Sequence, residues 1–329
     1  MGNHGILTIS LDFELYWGIR DKKTLSSYRQ NLFGVRKAIP LILELFQRYN
    51  IHASWATVGF LFFHSKEQLL KSLPLCKPRY LNSNLSPYEY LLTIGEDEQT
   101  DPYHYAPSMI SLIRSYPFQW IGTHTFSHYY CREQGQDIES FRADLEAAIS
   151  IASKQQIRME SIVFPRNQSN AMYLSVCKEL GINVYRGNES AWIYHAGQYS
   201  NDSILKRAFR LLDAYINFSG HHTSGLDTQE GNLPWNIPSS RFLRPYHPKL
   251  RLLEPLRLNR ITSGLTYAAK HGQIYHLWWH PHNFGVHLPE NLSFLEKILQ
   301  HYQNLHNIYG MKSMSMEEAA DHLSRRAVK

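Results

Sequence analysis

Two histidines four residues apart, in His124-Thr125-Phe126-Ser127-His128, can close on one metal ion if they share a face of a helical turn. Carboxylates able to join them stand at the end of the apolar run Ile6-Leu7-Thr8-Ile9-Ser10-Leu11-Asp12-Phe13-Glu14, which reads as a buried β-strand. Residues two apart in a strand point the same way, so Asp12 and Glu14 can face one pocket. Together these residues describe a His/His/carboxylate metal site with a second carboxylate beside it to act as a base. Each piece also has a plainer reading. In a chain with 18 histidines such a pair arises by chance, an acid at a strand end often forms a cap or turn, and Trp17 just beyond it is of a type that usually packs in a core.

The composition accommodates a large scaffold for such a site. With 329 residues and 43% hydrophobic content, the chain can bury the core of one large α/β domain spanning 1–329. The net charge of +6 is modest, and the basic residues are scattered, which argues against nucleic acid and leaves room for anionic substrates. Cys76, Cys131 and Cys177 lack the spacing of a zinc ribbon or disulfide framework and read as reduced thiols of a cytoplasmic protein. No signal-peptide pattern stands at the N-terminus, and no apolar run approaches the roughly 20 residues of a transmembrane helix. Oligomeric state is not legible.

Short apolar runs alternate with helical patterns, which predicts parallel strands joined by crossover helices. After the first strand a helix is expected over 35–49, with Pro40 a local break, then a strand at 52–57. Residues 73–107, rich in Pro, Asn and Tyr, read as an insertion over one mouth of the fold. A strand at 118–123 delivers the histidine pair, and a helix at 137–155, a strand at 161–164, a helix at 170–180 and a strand at 182–185 follow. Residues 187–240 form an irregular region containing a helix near 203–213. A helix near 253–271, a last strand at 273–280 and a closing helix at 290–309 complete the series.

In parallel α/β folds the reactive groups gather at the C-terminal ends of strands. Asp12, Glu14, His124, His128, Arg166 and His280 all fall at or just past such ends. At these positions the chain, from about residue 6 to about residue 285, resembles the polysaccharide deacetylases of carbohydrate esterase family four. Leu11-Asp12-Phe13-Glu14 is similar to the family's first motif, although Phe13 separates the two acids and the second is Glu14. His124-Thr125-Phe126-Ser127-His128 is similar to the second, Phe164-Pro165-Arg166-Asn167 to the third, and Leu277-Trp278-Trp279-His280 to the last. The fourth motif has no convincing counterpart, Trp192 being its nearest remnant.

The resemblance implies a distorted (β/α)7 barrel and a divalent metal ion, Zn²⁺ or another transition metal, on Glu14, His124 and His128. It further implies Asp12 as general base, Arg166 as the group orienting it, and His280 as general acid. The expected reaction is hydrolysis of an N-acyl group, most simply N-acetyl, from an amino sugar, with a lipid-linked or nucleotide-linked glycan precursor as substrate. Trp17 and Trp278 are candidates for stacking on the sugar, and His282 and Asn283 for contacting it. Strand alternation places Trp278 with His280 and turns Trp279 away. Two other classes stay open: a catalytically weak carbohydrate-binding or scaffold protein on the same fold, and a metal-independent hydrolase of a non-sugar amide.

Overall fold

The run Ile6–Phe13 forms strand β1, buried at every position. Its odd residues Leu7, Ile9, Leu11 and Phe13 belong to the large apolar cluster shared with the helices. Its even residues Ile6, Thr8, Ser10 and Asp12 are also buried, and Ile6 belongs to a second, smaller apolar cluster. Period-two alternation thus turns a polar file, ending in Asp12 and then Glu14, toward the interior of the sheet.

The computed structural model describes residues 4–194, 204–225 and 231–327. After β1 come α1 (Leu25–Arg48), β2 (Ala53–Thr57), α2 (Lys66–Lys71), α3 (Pro107–Ser115), β3 (Gln119–Thr123) and α4 (Ile138–Lys154). Next are β4 (Ser161–Ile162), α5 (Ala171–Glu179), β5 (Val184–Tyr185), α6 (Ile204–Asp213), β6 (Trp235–Asn236) and β7 (Arg241–Phe242). The last are α7 (Glu254–His271), β8 (Ile274–Trp279), α8 (Leu288–Tyr309), β9 (Lys312–Ser313) and α9 (Met316–Ala327).

Among the described residues the parallel strands are ordered β6-β5-β4-β3-β2-β1-β8-β7, with β9 beside the start of β1. The two ends of this order are one stretch of chain. The amides of Trp235, Ile237 and Ser239 donate to carbonyls of Asn183, Tyr185 and Gly187, whereas those of Ser240 and Leu243 donate to His276 and Trp278. Residues 235–243 therefore act as a single strand that changes neighbours at Ser239 and Ser240 and closes the sheet on itself. With β6 and β7 merged in this way, seven strands make a distorted (β/α)7 barrel.

Helix α9 sits under this barrel. Met316, Ala319, Ala320 and Leu323 join Ile6, Val184, Trp235 and Ile274 in the smaller apolar cluster, and Glu317 accepts hydrogen bonds from Ser54 and Ser161. The end at which β1 and β8 begin is thereby stoppered, which leaves the opposite end to carry chemistry. Among the described residues no helix is long and apolar enough to cross a membrane.

Several expectations change. Helix α1 begins ten residues earlier than its apolar pattern suggests, where the Thr24 side chain accepts from the Ser27 amide, and it runs on through Pro40. Its first turns are largely exposed, so hydrophobic period could not mark them. The stretch 73–107 holds short 3₁₀ turns at Ser83–Leu85 and Tyr90–Thr93. It packs beside the turn that follows β1, where the Tyr16 amide donates to Tyr103. In the irregular region 187–240, α6 matches the expected helix from 204 onward, and residue 203 lies outside the described residues.

Candidate active site

The polar file of β1 ends at Asp12, and Glu14 follows in the turn to Leu15–Gly18. Glu14 is buried with its Oε2 3.0 Å from His128 Nε2 and 3.3 Å from His124 Nε2. The ligand atoms of the three residues all lie within 4.8 Å of one another. The two histidines are not on a helical turn. They sit in a loop after β3 that passes through left-handed backbone at Thr125 (φ 65°) and His128 (φ 60°), and this irregular path brings their rings to 5.1 Å between centroids.

Asp144 on α4 holds that loop. Its carboxylate accepts from the amides of Phe126 (2.7 Å) and Ser127 (3.2 Å) and from the Ser127 hydroxyl. Burial pushes the Asp144 carboxyl up to about 7 against the pull of those donors. A buried acid is costly unless its oxygens are satisfied, and here the satisfaction is what shapes the histidine loop.

The donor set suits a cation. His124 Nδ1 lies 2.8 Å from the Val163 carbonyl, an acceptor only, so Nδ1 carries a hydrogen and Nε2 is the ring atom turned toward Glu14. Positive charge is what this buried pair needs, supplied either by a proton on Nε2 or by a cation lying between the nitrogen and the carboxylate. Burial pushes His128 down to about 4 despite its contact with Glu14, which favours its neutral ring. For Glu14, burial works to raise the pKa, and the imidazoles of His280, His124 and His128 together hold it well below the ordinary carboxylate range. Two imidazole nitrogens and one carboxylate oxygen form the three-ligand pattern of catalytic divalent-metal sites that leave a position open.

Asp12 is held from a direction the sequence did not disclose. Nη1 and Nη2 of Arg186, just past β5, donate to its two oxygens at 2.7 Å each. Behind this fork runs a chain of donors. Arg186 Nη1 also donates to Ser10 Oγ (2.9 Å), Ser10 lies 2.8 Å from His276 Nε2, and His276 Nδ1 lies 2.9 Å from the Ile237 carbonyl. His276 donates through Nδ1 and receives the Ser10 hydroxyl at Nε2, as the neutral ring does; burial pushes it down to about 3. Burial raises the Asp12 pKa, but Arg186 first among several neighbours reverses this and leaves it lowered.

Arg166 does not orient Asp12. Left-handed backbone at Arg166 (φ 55°) and Asn167 (φ 54°) accompanies a side chain that donates to Asp21 and Glu133 and lies 4.2 Å over the Tyr130 ring. The residue of that motif which reaches the Asp12 clamp is Asn167, whose Oδ1 accepts from Arg186 at 2.9 Å. Trp17 is likewise no ligand platform: it is buried against Phe60 and His104 and donates to the His104 carbonyl. Trp192 is exposed beside Phe209, so the remnant proposed for the fourth motif packs on α6.

His280, at the end of β8, places Nε2 3.5 Å from Glu14 Oε1 and 3.8 Å from Asp12 Oδ2. His282 stacks on it at 4.9 Å, and Asn283 Nδ2 stands 3.5 Å from its Nδ1. Trp278 lies on the same face of β8, under the Arg186 guanidinium at 4.0 Å, while Trp279 is buried against Phe46 and Phe284. Asp12, Glu14, His124, His128 and His280 open into one cavity of about 1130 Å³, lined also by Arg166, Trp278, His282 and Asn283. Lys22, Arg207, Arg210, Arg241 and Arg244 also line it, outnumbering the further acid Glu189.

Two functional positions left traces in the sequence. Arg186 follows an expected strand directly, the same signal that singled out the other residues. Asp144 is an acid set in the apolar stripe of Phe141, Leu145, Ala148 and Ala152, an anomaly that calls for a partner.

No protein-family model matches the chain, and no curated protein is similar to it in sequence. Solved structures do match in shape. A structure from Mycobacterium smegmatis assigned as a polysaccharide deacetylase superposes with a TM-score of 0.61 at 12% identity, over 99% of this chain and 92% of that one. One from Pseudomonas aeruginosa with the same assignment gives 0.58 at 12% identity, over 98% and 92%. Puue allantoinase gives 0.56 at 10% identity, over 98% and 92%. Taken with the closed seven-strand ring, these superpositions show that the chain has the distorted (β/α)7 barrel fold of the polysaccharide deacetylases.

Proposed function

We propose that this chain is a divergent polysaccharide deacetylase, a metal-dependent hydrolase that removes an N-acyl group, most simply acetyl, from an amino sugar or glycan precursor. The convergence of Glu14, His124 and His128 beside the clamped Asp12 carries this reading. A divalent ion held by those three residues, Zn²⁺ on the nature of the donors, would supply Lewis-acid charge that makes water more acidic and offsets negative charge on the amide oxygen.

The remaining steps belong to the protein. Asp12, kept ionised and fixed by Arg186, takes the proton of the attacking water as its oxygen bonds to the amide carbon. His280, which lines the same opening, gives a proton to the amide nitrogen as the carbon–nitrogen bond breaks, releasing a carboxylic acid and an amine. His282 and Asn283 steady the His280 ring, and Trp278 offers an apolar edge to the sugar. Three free thiols, two of them buried, support a reducing, cytoplasmic setting and therefore a precursor rather than an assembled polymer.

The test is amine release from a panel of N-acylated amino sugars by the purified chain, before and after chelation and metal return. Release that is lost on chelation and restored by a divalent ion supports the proposal. Activity indifferent to exhaustive chelation would favour the metal-independent amide hydrolase, and a metal-loaded chain inert on every sugar would favour a binding or scaffold role.

A further inference from the structure

Helix α6 carries two faces with different surroundings. Arg207, Ala208, Arg210 and Leu211 line the cavity. Leu205, Phe209 and Leu212, with Ile216 just past the helix, follow the i, i+4, i+7, i+11 spacing of a buried stripe, yet they are 69%, 38%, 52% and 59% exposed. Phe209 is flanked by Trp192 and Phe218, with ring centroids at 6.2 and 6.1 Å, and these two are 62% and 50% exposed. A clustered aromatic and aliphatic surface of this kind is uncommon on a protein that leaves it to water.

Among the described residues, the charges that α6 carries outside its buried acid are of one sign. Lys206, Arg207 and Arg210 lie on the same helix, and Arg244 lines the same cavity as Arg207 and Arg210. The one acid of α6, Asp213, is buried and paired with Arg241 and Arg260. Cationic side chains bordering an apolar face with Trp and Phe match the interface of an anionic bilayer. A second copy of the same cationic face would meet it with like charge.

We propose that α6 and the Trp192–Phe209–Phe218 cluster dock this protein on an anionic lipid surface, and that the substrate is the phosphate-bearing head of a lipid-linked amino sugar. The helix that touches the bilayer also forms the cavity wall, so a head group lifted from the surface enters past Arg207, Arg210 and Arg244 toward Asp12 and His280. Docking stands without the hydrolase reading, and only the substrate class rests on it.

The experiment is flotation of the full chain with phosphatidylcholine vesicles and with vesicles in which about a third of the lipid is phosphatidylglycerol. The chain should float with the anionic vesicles, weakly with the neutral ones, and less at about 0.5 M salt, where surface charge is screened. Leu205→Glu/Leu212→Glu, two exposed positions outside the cavity, should weaken flotation by about tenfold or more, while His128→Ala should float as the parent does. Absence of flotation with anionic vesicles, or an unaffected double variant, would overturn the docking surface. A dimer that the double variant dissociates, with no flotation of the parent, would assign the face to a second copy instead. For the substrate, an N-acetylamino-sugar phosphate on a long alkyl chain in vesicles should be hydrolysed with kcat/KM about tenfold above its methyl ester, a gain the double variant loses. Equal rates on both would overturn the substrate class with the docking intact, and failure on both would count against the hydrolase reading alone.

Discussion

Arg186 holds both carboxylate oxygens of Asp12 at 2.7 Å from two different nitrogens, and both side chains are buried. Breaking such a pair on one side leaves a buried charge uncompensated, at a cost of about 3–5 kcal/mol. Arg186→Met should therefore lower the melting temperature and reduce turnover by about 10²-fold or more, with metal content unchanged. Arg166→Met should leave kcat closer to the parent and act mainly on KM, since Arg166 lines the cavity but binds Asp21 and Glu133. Equal kcat losses in the two variants would mean that the clamp is not what positions the base.

Metal analysis of purified variants checks the ligand set. His124→Ala and His128→Ala should each lose stoichiometric divalent metal while the circular dichroism of the fold persists. Glu14→Asp withdraws the carboxylate by about one methylene and should bind metal more weakly, because ligand distances are held to about 0.2 Å.

Proton transfer separates from metal binding in Asp12→Asn and His280→Ala. Both should retain metal and lose turnover by about 10²–10⁴-fold, with the loss in His280→Ala smaller for substrates whose amine leaves easily. A His280→Ala variant at the parental rate on a verified substrate would remove His280 from the reaction.

Asp144 touches no ligand, yet it shapes the loop that carries both histidines. Asp144→Ala strips three donors of their acceptor and should cost about 2–4 kcal/mol of stability. It should also weaken metal affinity by about 10–100-fold, measured by competition with a chromophoric chelator. Unaltered affinity would show that the loop holds its shape without the acid.

Acid stability should depend on Asp213. Burial tends to raise its pKa, but Arg241 first among its partners reverses this and holds it well below the ordinary carboxylate value. A depressed folded pKa contributes stability that is present above the unfolded value near 3.8 and is lost as pH falls toward the folded one. Asp213→Asn should therefore be destabilised at neutral pH and show a flatter fall in melting temperature below about pH 4 than the parent. Parallel curves for the two proteins would contradict the assignment.

How far the sequence disclosed these features depended on the kind of contact. Asp12, Glu14 and His280 were legible because strand alternation fixes direction locally, and the same alternation separated Trp278 from Trp279. His124 and His128 were legible as a pair, but their loop was not, since its shape comes from Asp144 across the fold. The Arg166 motif misled because left-handed backbone turns the side chain toward Asp21, and Arg186 reached Asp12 through a contact between strands far apart in the chain. Trp17 shows the same limit, because only the fold reveals that His104 and Phe60 enclose it. β4 and β5 lie inside the strands expected at 161–164 and 182–185, whereas the two-residue strands β6, β7 and β9 are too short for period to register, and β6 with β7 proved to be the closing strand.

That closure bears on the order in which the molecule is made. β1 pairs early in the sequence with β2 but also with β8, where Ile6 meets Ile274, and residues 235–243 cannot bridge β5 to β8 until both are in place. Contacts of such wide sequence separation form slowly, since the chain between them must be ordered first. Asp12 and Glu14 are therefore synthesised well before His280 and meet it among the last contacts formed. A half-folded intermediate with β1, β2 and β3 paired would already hold Glu14, His124 and His128 together but lack His280, so metal capture during refolding should precede the shutting of the ring.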